Sequence, residues 1–196
     1  MTKEEHAIVL DYLPNGYPLE RKMMPIAQAV GEENLTLLEL VPRRESTLEI
    51  GEQVYIGEGK RDKVYYILGR LKREKLTETA KTELQEVVSK IVKENPERYI
   101  RFFNKADAIN KRLHQIELLP GLGKKHMQEI LKQREEKEFE SFEEMKERVQ
   151  NLPDPLKAVE KRIFQELTEM ERYNLFTGQY NDRKQKHKRK IRIPSS

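Results

Sequence analysis

The spacing of apolar residues changes once, near Leu76, and that change limits the chain to strands followed by helices. Before it lie five short stretches, 7–13, 25–30, 35–41, 52–56 and 63–71, rich in Val, Ile, Leu and Tyr. They are separated by turn formers: Pro14-Asn15-Gly16, the run from Gly31 to Asn34, Gly51, and Gly57 to Gly59. After it, Ala80, Leu84, Val87, Val88, Ile91 and Val92 recur every three or four residues and mark one face of a helix. The fold class that follows is α+β.

Five strands in about 65 residues suit a small closed barrel, which leaves no exposed sheet edge. The oligonucleotide-binding (OB) type is the expected form, and an SH3-like barrel fits the same spacing. Beyond Leu76 the sequence predicts helices throughout. Asn95-Pro96 opens one that buries Tyr99, Phe102, Phe103 and Ala106. A further helical stretch runs to Leu118, with Ile109, Leu113 and Ile116 turned inward. Another helix runs from Lys124 to near Lys137, and Ser141-x-x-Glu144 is a capping box that starts the next at Phe142. Asp154-Pro155 opens the last, which extends as far as Tyr173. The expected organisation is a barrel over 1–75, a helical domain over 76–182 and a basic tail over 183–196.

The net charge of +4 hides an uneven distribution. Residues 1–75 hold twelve Lys/Arg against thirteen Asp/Glu, and residues 76–182 hold nineteen against twenty-one. The tail from Arg183 holds seven basic residues and no acid, so the whole positive excess is there. Any anion-binding surface on the body must therefore be a local patch. The 196 residues contain no cysteine, which excludes disulfides, thiolate metal sites, iron–sulfur clusters and a Cys nucleophile. No run approaches the ~20 apolar residues of a membrane helix, and the amino terminus lacks a signal-peptide core. A soluble cytoplasmic monomer without membrane contact is expected.

The most informative stretch is Leu119-Pro120-Gly121-Leu122-Gly123-Lys124-Lys125. Two glycines around one apolar residue let the backbone turn tightly, Leu122 plug inward and the amides at the next helix start point outward. Such amides bind anions. Lys124 and Lys125 add two ammonium groups at the positive end of a helix, where a purely structural turn would favour an acid. The arrangement is similar to the helix-hairpin-helix motif, whose hairpin receives a nucleic-acid backbone phosphate. The similarity runs from Leu113 to Leu131, with Met127 where a small residue is usual.

A degenerate copy follows 33 residues on, where Leu152-Pro153 repeats Leu119-Pro120 and Lys157 repeats Lys124. There Asp154-Pro155-Leu156 replaces Gly121-Leu122-Gly123. Pro155 has no amide proton and Asp154 repels phosphate, so this copy is expected to complete the fold rather than bind. The pair resembles a tandem helix-hairpin-helix domain.

Over residues 6–182 the chain resembles an archaeal family of uncharacterised proteins, the domain-of-unknown-function family 655. The features that carry the resemblance are Gly51-Glu52-Gln53-Val54-Tyr55-Ile56-Gly57, Lys60-Arg61-Asp62-Lys63-Val64 and the two proline-led turns. The resemblance implies a barrel joined to a tandem helix-hairpin-helix, predicted nucleic-acid binding, and a setting in translation, ribosome maturation or transcription.

A second candidate surface is the loop with Lys60, Arg61 and Lys63, close in sequence to Tyr55, Tyr65 and Tyr66. Aromatic rings beside cations stack bases while the cations neutralise phosphates. Tyr65 and Tyr66 alternate along a strand, so at least one is expected in the core. The tail, with Lys188, Arg189 and Lys190 at its centre, adds sequence-independent affinity for a polyanion by counterion release.

Catalytic readings find little support. Some helix-hairpin-helix proteins are DNA glycosylases with a Lys after the hairpin and an Asp further on, which would make this a DNA repair factor. Lys125 matches the first position, but residues 139–149 offer Glu140, Glu143, Glu144 and Glu147 and no Asp. Lys125 is therefore read as a phosphate ligand. His6, His114, His126 and His187 show no metal-ligand spacing. The expectation is a non-enzymatic protein without metal or cofactor that binds nucleic acid, RNA or ribonucleoprotein before DNA. Its binding residues are Gly121, Leu122, Gly123, Lys124 and Lys125, with Lys60, Arg61, Lys63 and the tail. The alternative is an adaptor that docks onto ribosome-maturation or transcription proteins.

Overall fold

Five strands form in the amino-terminal part of the computed structural model, which describes residues 4–18 and 23–177. They are β1 (His6–Leu13), β2 (Ile26–Gly31), β3 (Leu37–Pro42), β4 (Gln53–Tyr55) and β5 (Val64–Arg70). Each lies within one to two residues of its expected position, because turn residues and β-branched runs set strand ends locally. Among the described residues the chain divides into two compact units, one running up to Leu84 and resuming at Glu166, the other of residues 85–165. The boundary after Leu84 falls inside a helix, and residues 166–177 belong to the first unit.

In the first unit the strands make one antiparallel sheet in the order β4-β1-β2-β3-β5. The sheet is curled but open, where a closed barrel was expected: β4 and β5 are its edges and share no ladder. With only three residues, β4 has little backbone to pair. An ion pair between Lys63 and Glu52 links the segments that lead into these two edges.

The central strands are buried on both faces. On one face Ala7, Val9, Ala27, Ala29, Leu38 and Leu40 build a core with Leu48, Val54, Ile56 and Val64. On the other face a bulge between Val9 and Asp11 sets Asp11 opposite Gln28, and Gln28 lies opposite Glu39. These three buried polar residues form a row across the sheet and hold the start of helix α1 (Glu78–Glu94). Gln28 accepts from the Thr77 amide at 3.1 Å and donates to the Lys75 carbonyl at 2.6 Å. The Thr77 hydroxyl donates to Asp11 at 2.5 Å and accepts from the Ala80 amide at 3.0 Å, capping the helix. Tyr17 donates to Glu39 at 2.7 Å. Leaving any one of these groups unsatisfied would cost about 1–3 kcal/mol. At the end of the unit the buried Glu166 carboxylate accepts from the amides of Leu175, Phe176 and Thr177, which fixes the last described residues.

The second unit holds the rest of α1, then α2 (Pro96–Lys105), α3 (Lys124–Glu136), α4 (Phe142–Arg148) and most of α5 (Pro155–Thr168). Its interior includes Phe103, Ile116, Leu122, Ile130, Phe142, Met145 and Ile163. The rings of Phe103 and Phe142 meet edge to face at 6.3 Å. One expected helix is absent. The segment expected to run helically to Leu118 is a small hairpin, β6 (Ala108–Asn110) with β7 (Leu113–His114), followed by a 3-10 turn over Gln115–Leu118. Polar side chains take backbone partners that a helix would need: Asp107 accepts from the Ala108 amide and Asn110 from the Arg112 amide. The last helix ends at Thr168, short of Tyr173.

Candidate functional site

The turn that opens α3 is built from the inside outward. Leu122 is buried, and its amide donates to the Leu119 carbonyl at 3.0 Å, closing the turn. Gly121 sits at φ +87°, a left-handed conformation that a side chain resists. Gly123 precedes the helix in extended conformation, and its carbonyl accepts the first helical bond from Met127 at 3.0 Å. The Gly123 amide makes only a long bond, 3.4 Å, to Nδ1 of His126. Lys124 and Lys125 are exposed, and neither has a carboxylate partner among the described residues. As first residues of the helix, their amides have no carbonyl behind them to bond. Open amides, the positive helix end and two ammonium groups thus meet at one exposed corner.

The segment before the turn is pinned by His114. Its Nδ1 accepts from the Ile116 amide at 3.2 Å, while the Glu117 carboxylate accepts from the His114 amide at 2.9 Å. Burial, and then the nearby Arg134 guanidinium, holds the imidazole pKa below its ordinary value. Arg134 itself donates to the carbonyls of Phe103 and Ala106.

The repeat that opens α5 has the same outline and a different filling. The Asp154 carboxylate accepts from the amides of Leu156 and Lys157 at 3.1 and 3.3 Å and pairs with Lys146 at 3.2 Å. Burial raises the Asp154 pKa, but the Lys157 amide, the Lys146 ammonium and the Leu156 amide outweigh it and hold the group below its usual range. This turn already carries its own anion.

Beside the α3 turn lies an open cleft of about 540 Å³ between α3 and the link from α4 to α5. Lys125, His126, Glu129 and Lys132 line one side, and Gln150 and Asn151 the other. Arg148 also lines it, but its guanidinium is engaged with Glu144 and with the carbonyls of Gln133 and Lys137. The sequence reading missed this cleft. Its only local sign is the polar Gln150-Asn151 pair ahead of Leu152-Pro153.

The first unit places the other candidates around its edge strands. Lys60 is exposed, Arg61 donates to the Gly57 carbonyl at 2.8 Å, and Lys63 is tied to Glu52. Tyr55 is half-buried, and its hydroxyl accepts from the Gly59 amide at 3.0 Å. Tyr65 and Tyr66 correct the expectation that one would be core: they are 63% and 37% exposed. On an edge strand neither face need be covered. Lys188, Arg189 and Lys190 lie outside the described residues. Among the described residues no group of three or more His, Asp or Glu side chains is placed to hold a metal. No described helix is long and apolar enough to cross a membrane.

Three comparisons place these features. Residues 3–178 match the family model described as protein of unknown function (DUF655). Uncharacterized protein MJ0038 of Methanocaldococcus jannaschii is 45% identical over 175 residues, 88% of this chain and 79% of that protein. The crystal structure of Af1531 from Archaeoglobus fulgidus, also assigned to DUF655, matches with a TM-score of 0.77 and 44% identity. It covers 89% of this chain and 100% of that one. With the sheet, the helices and both proline-led turns inside the matched span, the chain belongs to the DUF655 family.

Proposed function

We propose that this protein binds nucleic acid without catalysing a reaction, with RNA or ribonucleoprotein favoured over DNA. The observation that carries the reading is the corner at the start of α3, where two exposed lysines without a carboxylate partner among the described residues open a helix whose first amides have no carbonyl behind them. On this reading the turn works as a helix-hairpin-helix phosphate contact. The single 3-10 turn before it takes the place of the motif's first helix. The curled sheet is OB-like in use: Lys60 and Arg61 meet phosphates, and the exposed Tyr65 and Tyr66 stack on unpaired bases. Stacking of this kind favours single-stranded or looped RNA.

Lys124→Glu with Lys125→Glu tests the reading, with binding measured against duplex DNA, duplex RNA and single strands. Affinity should fall for all sequences alike, since phosphate contacts carry no base information. Unchanged affinity in the folded variant removes the turn from the interface. Truncation after Asp182 separates the tail, since the remaining chain has a formal charge of −3. The plot of log affinity against log salt should then flatten by several units, roughly one per lost phosphate contact.

The second reading, a protein-docking adaptor, draws on the apolar exposure along β5, where Leu68 is 43% exposed beside the two tyrosines. Tyr65→Ser with Leu68→Ser distinguishes the two. Loss of a protein partner with nucleic-acid affinity intact favours the adaptor.

A further inference from the structure

The cleft beside the α3 turn is chemically unlike the turn itself. Lys125 belongs to both, so a chain whose phosphate rests on the turn passes the cleft mouth. Lys132 stands seven residues further along α3, about 10 Å away along the helix axis, at the other end of the same wall. Between these two cations the lining is not suited to a phosphate. The Glu129 carboxylate is there, with one oxygen accepting from Gln133 at 3.1 Å. Across from it stand the side-chain amides of Gln150 and Asn151, neither of which has a hydrogen-bond partner among the described residues. The His126 ring completes the lining with Arg148, whose guanidinium is already engaged by Glu144 and by the carbonyls of Gln133 and Lys137. A cleft of about 540 Å³ with a carboxylate acceptor, two neutral amides and a flat ring fits an uncharged, planar, hydrogen-bonding group.

We propose that this cleft receives an unpaired base of the nucleic acid held at the turn, with Gln150, Asn151 and Glu129 as the groups that read it. The inference rests on the phosphate reading of the turn and deepens it: the turn sets position and the cleft sets preference. Amide side chains pair with adenine, and a carboxylate accepts from the exocyclic amine of cytosine or adenine. Uracil can pair with an amide through N3–H and O4 but has no amine for the Glu129 carboxylate, which is what disfavours it. A base must leave its stack to enter, so single strands or bulges are the ligands.

The experiment uses the full chain and short single-stranded oligomers of A, C and U, with a duplex RNA of equal length as control. The variant is Glu129→Ala with Gln150→Ala and Asn151→Gly, which removes all three reading groups. Asn151 sits at φ +52°, so glycine keeps the turn while removing the amide. The wild type should favour A or C over U by about tenfold, the discrimination of one good base contact. The variant should bring that ratio to within about twofold without lowering duplex affinity. A ratio that survives in the variant overturns the cleft assignment, as does a wild type with no preference among the oligomers. If Lys124→Glu with Lys125→Glu weakens all ligands while the ratio survives in the cleft variant, the cleft alone fails. If that lysine variant changes nothing, the phosphate reading fails, and the cleft proposal with it.

Discussion

The turns that open α3 and α5 begin with the same Leu-Pro pair and end in opposite electrostatic states. At α5, Asp154 supplies an anion to the helix amides, Pro155 removes one amide proton, and Lys146 neutralises the carboxylate. At α3, glycines occupy the turn, no acid among the described residues caps the amides, and two lysines add charge of the sign the helix end already has. A structural cap relieves that local positive potential; the α3 turn maintains it. The difference marks one turn as closed by an anion of its own chain, and on the proposed reading the other takes its anion from outside.

The comparison can be broken most directly by reversing charge at the open turn. Lys124→Glu with Lys125→Glu should reduce nucleic-acid affinity about 10- to 100-fold at low salt, as expected for loss of one to two phosphate contacts. Equal affinity for wild type and variant in a titration would make the two turns equivalent.

Next in size is the loss of the built-in anion. Asp154→Ala should destabilise the protein by about 1–2 kcal/mol in urea unfolding, the cost of losing a helix cap, with nucleic-acid affinity unchanged. Because the folded Asp154 pKa is depressed, its contribution is present above the unfolded value near 3.9 and is lost as pH falls through the folded value. The variant's stability should therefore vary less with pH in that acid range. Gly121→Ala, forced to φ +87°, should cost a similar ~1–2 kcal/mol.

The support beneath the open turn titrates nearer neutrality. The His114 pKa is lowered by burial and by Arg134, so the folded state binds protons less readily than the unfolded chain. Stability is complete above the unfolded value near 6.5 and declines as pH falls from there toward the folded value. His114→Asn keeps an acceptor for the Ile116 amide and cannot titrate. It should flatten the pH dependence of unfolding in that window by about 1 kcal/mol or less. The smallest effect belongs to Gly123→Ala. With φ at −103° and no atom within 4 Å of an added Cβ, it should change thermal stability by less than about 1 kcal/mol.

Much of this was legible before any fold was known. The strand stretches, the helix starts at Pro96, Lys124, Phe142 and Pro155, and the contrast of Gly123-Lys124 with Asp154-Pro155 rest on neighbouring residues. Where local chemistry competes, the reading failed. Ile109, Leu113 and Ile116 have helical spacing, but Asp107 and Asn110 draw the backbone into a hairpin. Spacing reports only which residues would share a side of a helix, and carries no record of the side-chain hydrogen bonds that draw the backbone away from one.

What the sequence determined by itself is the order of elements and the charge at each helix start, because propensity, capping and turn geometry act over a few residues. Tertiary structure decided which surfaces those elements present. Tyr65 and Tyr66 are exposed because β5 ended as a sheet edge, and edge position depends on which strands pair, which no stretch of β5 encodes. Asp11, Gln28 and Glu39 are far apart in the chain and form one buried row only through the register of β1, β2 and β3. The cleft joins Lys125 to Asn151 across 26 positions, and such proximity exists only once the helices have packed.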